Sequence, residues 1–227
     1  MKNVAIITAG GVGTRFSTNK KKQFVEVNGR ALICWTVDKF VAHPLVSNII
    51  VTTPEDSIEQ TRELLLEQSR TKSISIVTGG PTRQDSVLNG IHALDDDTDL
   101  VLIHDGVRPI ISLEEISLLI ELGRKYKGVI PAHKIKNTVK EVVNGKVVRT
   151  VDRERLYEVY TPQVFDYKTI KECHLKAKED EVYFTDDAAL FENYGYDVFV
   201  AETSPYNIKL TEQVDLDFIS LLINSNQ

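Results

Sequence analysis

Apolar and β-branched residues in the first half of the chain recur in short runs separated by turn formers. Val4–Thr8 is one such run, closed by glycines, and predicts a strand buried on both faces. Leu32–Val41 carries apolar residues at helical spacing and stops at His43-Pro44, where proline disfavours a helix. Asn48–Thr52 predicts a second buried strand, Ser57–Gln68 a helix, Ser73–Val77 a third strand, Asp85–Leu94 a helix, and Leu100–His104 a fourth strand ending at Asp105. Short buried strands alternating with helices predict right-handed βαβ crossovers, hence an α/β fold built on a mostly parallel sheet. Ligands of such sheets sit beyond the strand C-termini, so the segments after Thr8, Thr52, Val77 and His104 are where chemistry is expected.

One segment breaks this rhythm. Lys140–Thr150 reads KEVVNGKVVRT, two β-branched runs around Asn144-Gly145, the strongest short hairpin signal because both turn residues tolerate positive φ. It predicts a projecting two-stranded arm, too poor in core to stand alone and so expected to pack on the main sheet or on another subunit. No internal repeat or low-complexity tract is present.

The predicted ligand edge is rich in candidates. Thr8-Ala9-Gly10-Gly11-Val12-Gly13-Thr14-Arg15 follows the first strand, and its glycines allow close backbone approach and free N–H groups suited to phosphate. The spacing fits neither the GxGxxG fingerprint nor a P-loop. A tight turn needs such glycines too, but it has no use for the cations Arg15 and Lys22. Gly79–Ser86 lies on the same edge, where its backbone and hydroxyls suit a base, while Thr82 or Asp85 also suits a helix N-cap. Asp105 suits a divalent metal or a sugar hydroxyl and Arg108 a phosphate; the alternative is a local Asp105–Arg108 ion pair that closes the turn. His104 reads as a packed strand-end residue rather than a base. Thr185-Asp186-Asp187 opens a helix and reads on its own as a cap, and Lys209 precedes the last helix, for which Thr211 is the expected cap. Asp95, Asp96, Asp97 and Asp99 read as a solvated loop on the opposite edge, and His43, His92, His104, His133 and His174 lack metal-ligand spacing.

Charge sharpens the picture at one end. The 227 residues hold 33 acidic and 27 basic side chains, a formal charge of -6 that disfavours wholesale binding to nucleic acid or an anionic membrane. Yet Met1–Lys22 has five basic residues and no carboxylate, so this stretch is +5 and the rest, 22 basic against 33 acidic, is -11. A local anion site is expected there. The apolar share of 42% is enough for a sizeable core, and the length fits one large domain or one with an appendage. Cys34 and Cys173 lack disulfide or metal spacing and read as reduced thiols, and no run approaches the ~18 apolar residues of a membrane span. The expectation is a soluble cytoplasmic protein.

Taken in order, AGGVGTRF with KKKQF, GGPTRQDSV, HDGVRP, NTVK, VDRERLYEVYTPQVF, FTDDAAL and NIKLT resemble the IspD/TarI-type cytidylyltransferases, from Ala9 to Thr211. The resemblance implies a Rossmann-like nucleotidyltransferase fold as a single domain over residues 1–227, with a β-arm at about 136–154 for dimerisation. It implies transfer of CMP from CTP to a polyol phosphate with release of pyrophosphate, and Mg²⁺ bridging the triphosphate with few protein ligands. Arg15 and Lys22 would clamp the triphosphate, the register among Lys20, Lys21 and Lys22 being open by one. Ala9, Gly10, Gly11, Gly13, Gly80, Ser86 and Asp105 would hold the nucleotide, with Pro81 standing where relatives often have a free N–H. Asp105 and Arg108 are expected near ribose, acceptor and metal. Thr138 and Arg153 would reach across a homodimer to the acceptor's phosphate, joined by Thr185 and Lys209, so that Arg15, Lys22, Arg153 and Lys209 form the catalytic set. The implied acceptor is 2-C-methyl-D-erythritol 4-phosphate, with ribitol 5-phosphate or a related polyol phosphate of teichoic acid or capsule synthesis as the alternative. From other classes, a non-catalytic nucleotide-binding module shares the fold, and a dehydrogenase lacks both the glycine spacing and a ribose-binding acid at Thr52-Thr53-Pro54.

Overall fold

A computed structural model describes residues 1–10 and 21–225. Its strands are β1 (Asn3–Thr8), β2 (Glu26–Val27), β3 (Arg30–Ala31), β4 (Asn48–Thr53), β5 (Ile74–Thr78), β6 (Leu100–Asp105), β7 (Gly128–Lys134), β8 (Val139–Val143), β9 (Lys146–Val151), β10 (Tyr157–Val159), β11 (Gln163–Asp166) and β12 (Phe199–Glu202). Its helices are α1 (Leu32–Ala42), α2 (Ile58–Leu64), α3 (Gln68–Thr71), α4 (Arg83–His92), α5 (Leu113–Lys125), α6 (Tyr167–Glu179), α7 (Asp187–Asn193) and α8 (Gln213–Ser225). Eight strands form the main sheet in the order β10-β7-β11-β6-β1-β4-β5, with β12 also pairing β7. The pairs β6–β1–β4–β5 and β7–β12 are parallel, whereas β11 runs antiparallel between β6 and β7, and β10 antiparallel to β7. The α/β, mostly parallel reading therefore holds, with an antiparallel insertion on one side.

Period-two alternation sorts the strand residues between two cores. Ala5, Ile7, Ile49, Val51, Leu100 and Leu102 face the layer of α1 and α5. Val4, Ile6, Ile50, Val101 and Ile103 face the layer of α4, α6 and α7. Continuous apolar runs are what two covered faces require. Gly90 lets α4 sit close to the sheet, since a Cβ there would come 2.8 Å from Ile6 Cγ2.

The predicted helix Ser57–Gln68 is corrected: the chain forms α2, a turn, and the short α3. Three consecutive leucines cannot share one helix face. Leu65 is buried and keeps an i−4 bond to Thr61, while Leu66 switches to an i−3 bond to Glu63 and is exposed. The expected Thr211 cap is also corrected, because the Asp215 carboxylate accepts from the N–H groups of Thr211 and Glu212 (2.7 Å each), and the Thr211 hydroxyl donates to the Lys209 carbonyl. The Asn144-Gly145 hairpin forms as expected, both residues at positive φ (49° and 76°), and β8 and β9 make a sheet of their own that does not join the main one.

Candidate active site

A cavity of about 340 Å³ opens at the C-terminal ends of β1 and β6. Thr8, Ala9 and Gly10 line it at the end of β1, Gly80–Thr82 from the loop after β5, Arg83 and Ser86 from the first turn of α4, Asp105 and Val107 at the end of β6, and Lys209 and Leu210 from the segment before α8. Lys22 and Gln23 close it from the other side. Three of the four predicted edges thus converge. The segment after β4 does not line the cavity.

The loop after β5 is shaped by its own contacts. Thr82 caps α4 by accepting from Asp85 N–H (3.1 Å), and the Asp85 carboxylate accepts from Thr82 N–H (3.1 Å), a reciprocal capping box. Ser86 Oγ accepts from Gly80 N–H (3.0 Å) and donates to the Thr82 carbonyl (2.9 Å), drawing the loop over the helix start. Position 80 admits only glycine, since a Cβ would lie 2.2 Å from Asp85 Cβ. Gly80 and Ser86 therefore build the loop as well as line the cavity.

Asp105 is the electrostatic hub. Its buried carboxylate accepts from Arg83 Nε (3.2 Å), Arg108 Nε (3.1 Å) and Lys209 Nζ (2.9 Å). Burial alone would raise its pKa, but Arg83, Lys209 and Arg108 outweigh that and hold it well below the usual carboxylate range. Arg83 in turn donates to Asp187 (2.7 Å), whose other oxygen meets His174 Nε2 (3.2 Å). Burial opposes the charge on Arg83, and the two carboxylates more than offset it, so its pKa is raised. Three cations on two carboxylates leave positive charge at the rim, to which Lys22 adds. The local Asp105–Arg108 pair exists, as one arm of this larger network. His104 beside it is buried between Thr161 Oγ1 and the Arg108 carbonyl (3.0 Å each), and burial lowers its pKa to about 4, so it is a neutral packing group.

Of the two described lysines in the run, one faces the cavity. Gln23 and Phe24 are buried, which turns Lys22 into the cavity, where Nζ donates to the Thr211 carbonyl (2.7 Å). Lys21 points away to Asp56 and Ser57. Arg15, Gly11, Gly13 and Lys20 lie outside the described residues.

The remaining candidates do not line the cavity. Arg108 does not line it: its guanidinium ties Asp105 to the Asn207 carbonyl (2.7 Å) and lies over the Tyr160 ring, bracing the segment that carries Lys209. Thr138 and Arg153 flank the two ends of the hairpin, exposed, with Arg153 donating to the Lys136 carbonyl. Thr185 is exposed just before the Asp186 cap of α7. Arg83 and Asp187 are the functional-site residues that sequence reasoning missed; both sit in the motifs singled out, but 104 positions separate them and no local pattern reveals their pairing. The clustered aspartates are partnered too, Lys2 binding Asp95, Asp97 and Asp99.

A larger open hollow of about 1000 Å³ lies against α1–α3. Of its cations Lys21, Arg30 and Arg70, the first two are paired with Asp56 and Asp38, and the carboxylates Glu26, Glu63 and Glu67 also line it, so it is a poor seat for a polyanion. No helix among the described residues is long and apolar enough to cross a membrane.

Comparison with known proteins agrees with this geometry. Residues 3–225 match the family model described as IspD, 2-C-methyl-D-erythritol 4-phosphate cytidylyltransferase. A relative of that name from Halalkalibacterium halodurans is 38% identical over 98% of this chain and 97% of its own length, and one from Clostridium botulinum is 39% identical over 95% and 94%. The crystal structure of 4-diphosphocytidyl-2C-methyl-D-erythritol synthase from Anaerococcus prevotii superposes with a TM-score of 0.87 at 34% identity, covering 98% of both chains. The 2-C-methyl-D-erythritol 4-phosphate cytidylyltransferase of Francisella tularensis gives 0.83 at 27% identity, over 98% of this chain and all of that one. With its whole length matched and the strand-end cavity where the motifs predict it, the chain belongs to the IspD family of cytidylyltransferases.

Proposed function

We propose that this chain transfers CMP from CTP to 2-C-methyl-D-erythritol 4-phosphate, releasing pyrophosphate, and so serves isoprenoid precursor synthesis. The observation that carries the reading is the convergence of Lys22, Lys209 and the Asp105 network on one cavity at the strand ends, in a chain matched to the family from residue 3 to 225. The cavity falls in the size range of small-molecule sites. Its positive rim suits a triphosphate in an otherwise acidic protein, because local cations rather than net charge set the potential there.

The acceptor's phosphate oxygen attacks the α-phosphorus of CTP, and the bond to the departing pyrophosphate breaks. No protein nucleophile is needed, so positioning and charge stabilisation carry the rate. Lys22, with Arg15 as the second expected cation, neutralises charge gathering on the triphosphate. Asp105 aims Lys209 and Arg83 through its two carboxylate oxygens. Ala9, Gly10, Gly80 and Ser86 hold the base and ribose, and Pro81, exposed on the cavity wall, contributes no N–H. Asp105 is the sole carboxylate lining the cavity among the described residues, and it is already surrounded by cations. That donor set fits Mg²⁺ held largely by triphosphate oxygens and water with at most this one carboxylate, and the ion would supply further neutralisation of the phosphates.

The whole chain acts as one nucleotidyltransferase domain whose arm, about residues 136–154, engages a second copy. Thr138 and Arg153 at the arm's base then meet the acceptor phosphate bound by Thr185 and Lys209 of the other subunit. What supports this is the arm's exposure on both faces and the absence of these two residues from the lining of their own cavity. Incubation with CTP, Mg²⁺ and single acceptors, with pyrophosphate and product read by mass spectrometry, tests the reading. Turnover is expected with 2-C-methyl-D-erythritol 4-phosphate and little with ribitol 5-phosphate; the reverse order, or CTP binding without any turnover, overturns it.

A further inference from the structure

Thr185 stands in the segment 182–187, which the chain grips tightly while leaving Thr185 itself exposed. The grip comes from the first turn of α4. Gln84 Nε2 donates to the Val182 carbonyl (3.0 Å), and Gln84 Oε1 accepts from Phe184 N–H (2.9 Å), so one side-chain amide satisfies two backbone groups of an extended stretch. Its neighbour Arg83 pairs with Asp187 (2.7 Å). From β11, Gln163 donates to Asp186 (2.7 Å) and accepts from Asp187 and Ala188 N–H (3.1 and 3.0 Å). Thr185 is thus the free residue between two glutamine clamps. The turn that holds Gln84 continues directly from Gly80–Thr82 on the cavity wall, so a rigid, capped helix start joins the nucleotide side to this segment.

We propose that Gln84 is a positioning residue for the acceptor: it fixes the 182–187 segment, and with it Thr185, relative to the cavity wall to which Arg83 ties Asp187, without lining the cavity itself. The inference rests on the reading above that Thr185 faces the acceptor. The amide is required because one end must donate and the other accept. Methionine, of similar length, loses both bonds, whereas glutamate keeps the acceptor for Phe184 N–H and loses the donor to Val182. Two neutral hydrogen bonds correspond to about a tenfold effect. Neither the Thr82–Asp85 capping box nor the Ser86 contacts involve Gln84, so the nucleotide side is left intact.

The test is steady-state kinetics with CTP and 2-C-methyl-D-erythritol 4-phosphate on Gln84→Met, Gln84→Glu and Thr185→Ala, together with amide hydrogen exchange over residues 182–186. Gln84→Met is expected to raise the acceptor KM about tenfold, leave the CTP KM within about twofold, and speed exchange in this segment. Gln84→Glu falls between Gln84→Met and the unsubstituted enzyme, and it carries the comparison if Gln84→Met does not fold. Equal shifts in both KM values, or faster exchange with an unchanged acceptor KM, overturn the positioning role. If Thr185→Ala raises the acceptor KM and Gln84→Met does not, only the positioning role falls. If Thr185→Ala leaves the acceptor KM unchanged, the reading of Thr185 falls and this proposal with it.

Discussion

The cavity and the arm manage their side chains in opposite ways. At the cavity, Asp105, Asp187, Arg83, Arg108 and Lys209 pair within one chain, over strands and helices that share two large cores. In the arm, Val142, Val143, Val147 and Val148 are each more than half exposed, and the ladder of β8 and β9 is the arm's own. A two-stranded ribbon without a core is marginal in water. The contrast teaches that contacts within one chain hold the described walls of the cavity, while the arm's apolar faces are left uncovered by the chain's own core.

The comparison breaks most visibly at Asp105. Asp105→Ala leaves Arg83 and Arg108 without their shared carboxylate and is expected to cost about 3–5 kcal/mol, read as a lowered midpoint in urea. A loss under about 1 kcal/mol would show that the cations do not depend on it. Lys22→Ala is expected to lower kcat by about 10² to 10³ with only a small drop in melting temperature, because it removes charge stabilisation and the hydrogen bond to the Thr211 carbonyl but no core packing. The pH dependence sharpens the same side. His104 has its pKa lowered from an ordinary 6.5 to about 4, so the unfolded chain takes up the proton first and stability falls as pH drops from about 6.5 to 4. Melting curves across that range should flatten in His104→Gln. Val148→Asp acts on the other region alone: sedimentation at micromolar concentration should show monomers, with CTP affinity by calorimetry unchanged. Smallest, Thr82→Ala removes the cap of α4 and should cost about 1 kcal/mol.

How far the sequence reaches differs between the same two regions. The strands up to Asp105, the Asn144-Gly145 turn and the Thr82–Asp85 cap are written in local patterns, because period, turn chemistry and capping act over a few residues. Ala9, Gly10, Gly80, Ser86, Asp105, Lys22 and Lys209 come together in one cavity since the strand-end rule and the motif order both point there. What stayed hidden is long-range: Arg83 finding Asp187, Gln84 clasping Val182 and Phe184, and Arg108 bracing Asn207 instead of facing the cavity. The split of the Ser57–Gln68 helix escaped for a related reason, as only the sheet decides which of Leu65 and Leu66 is buried.

The central claim, that one subunit supplies the cavity and the other the arm, is tested most directly by mixing two inactive variants. Lys22→Ala spoils a subunit's cavity and Arg153→Ala its arm. After denaturation and refolding together in equal amounts, half the dimers should be mixed, each with one intact site, restoring about a quarter of the unmutated activity. A mixture no more active than its parents would place Arg153 at its own subunit's cavity and contradict the shared site.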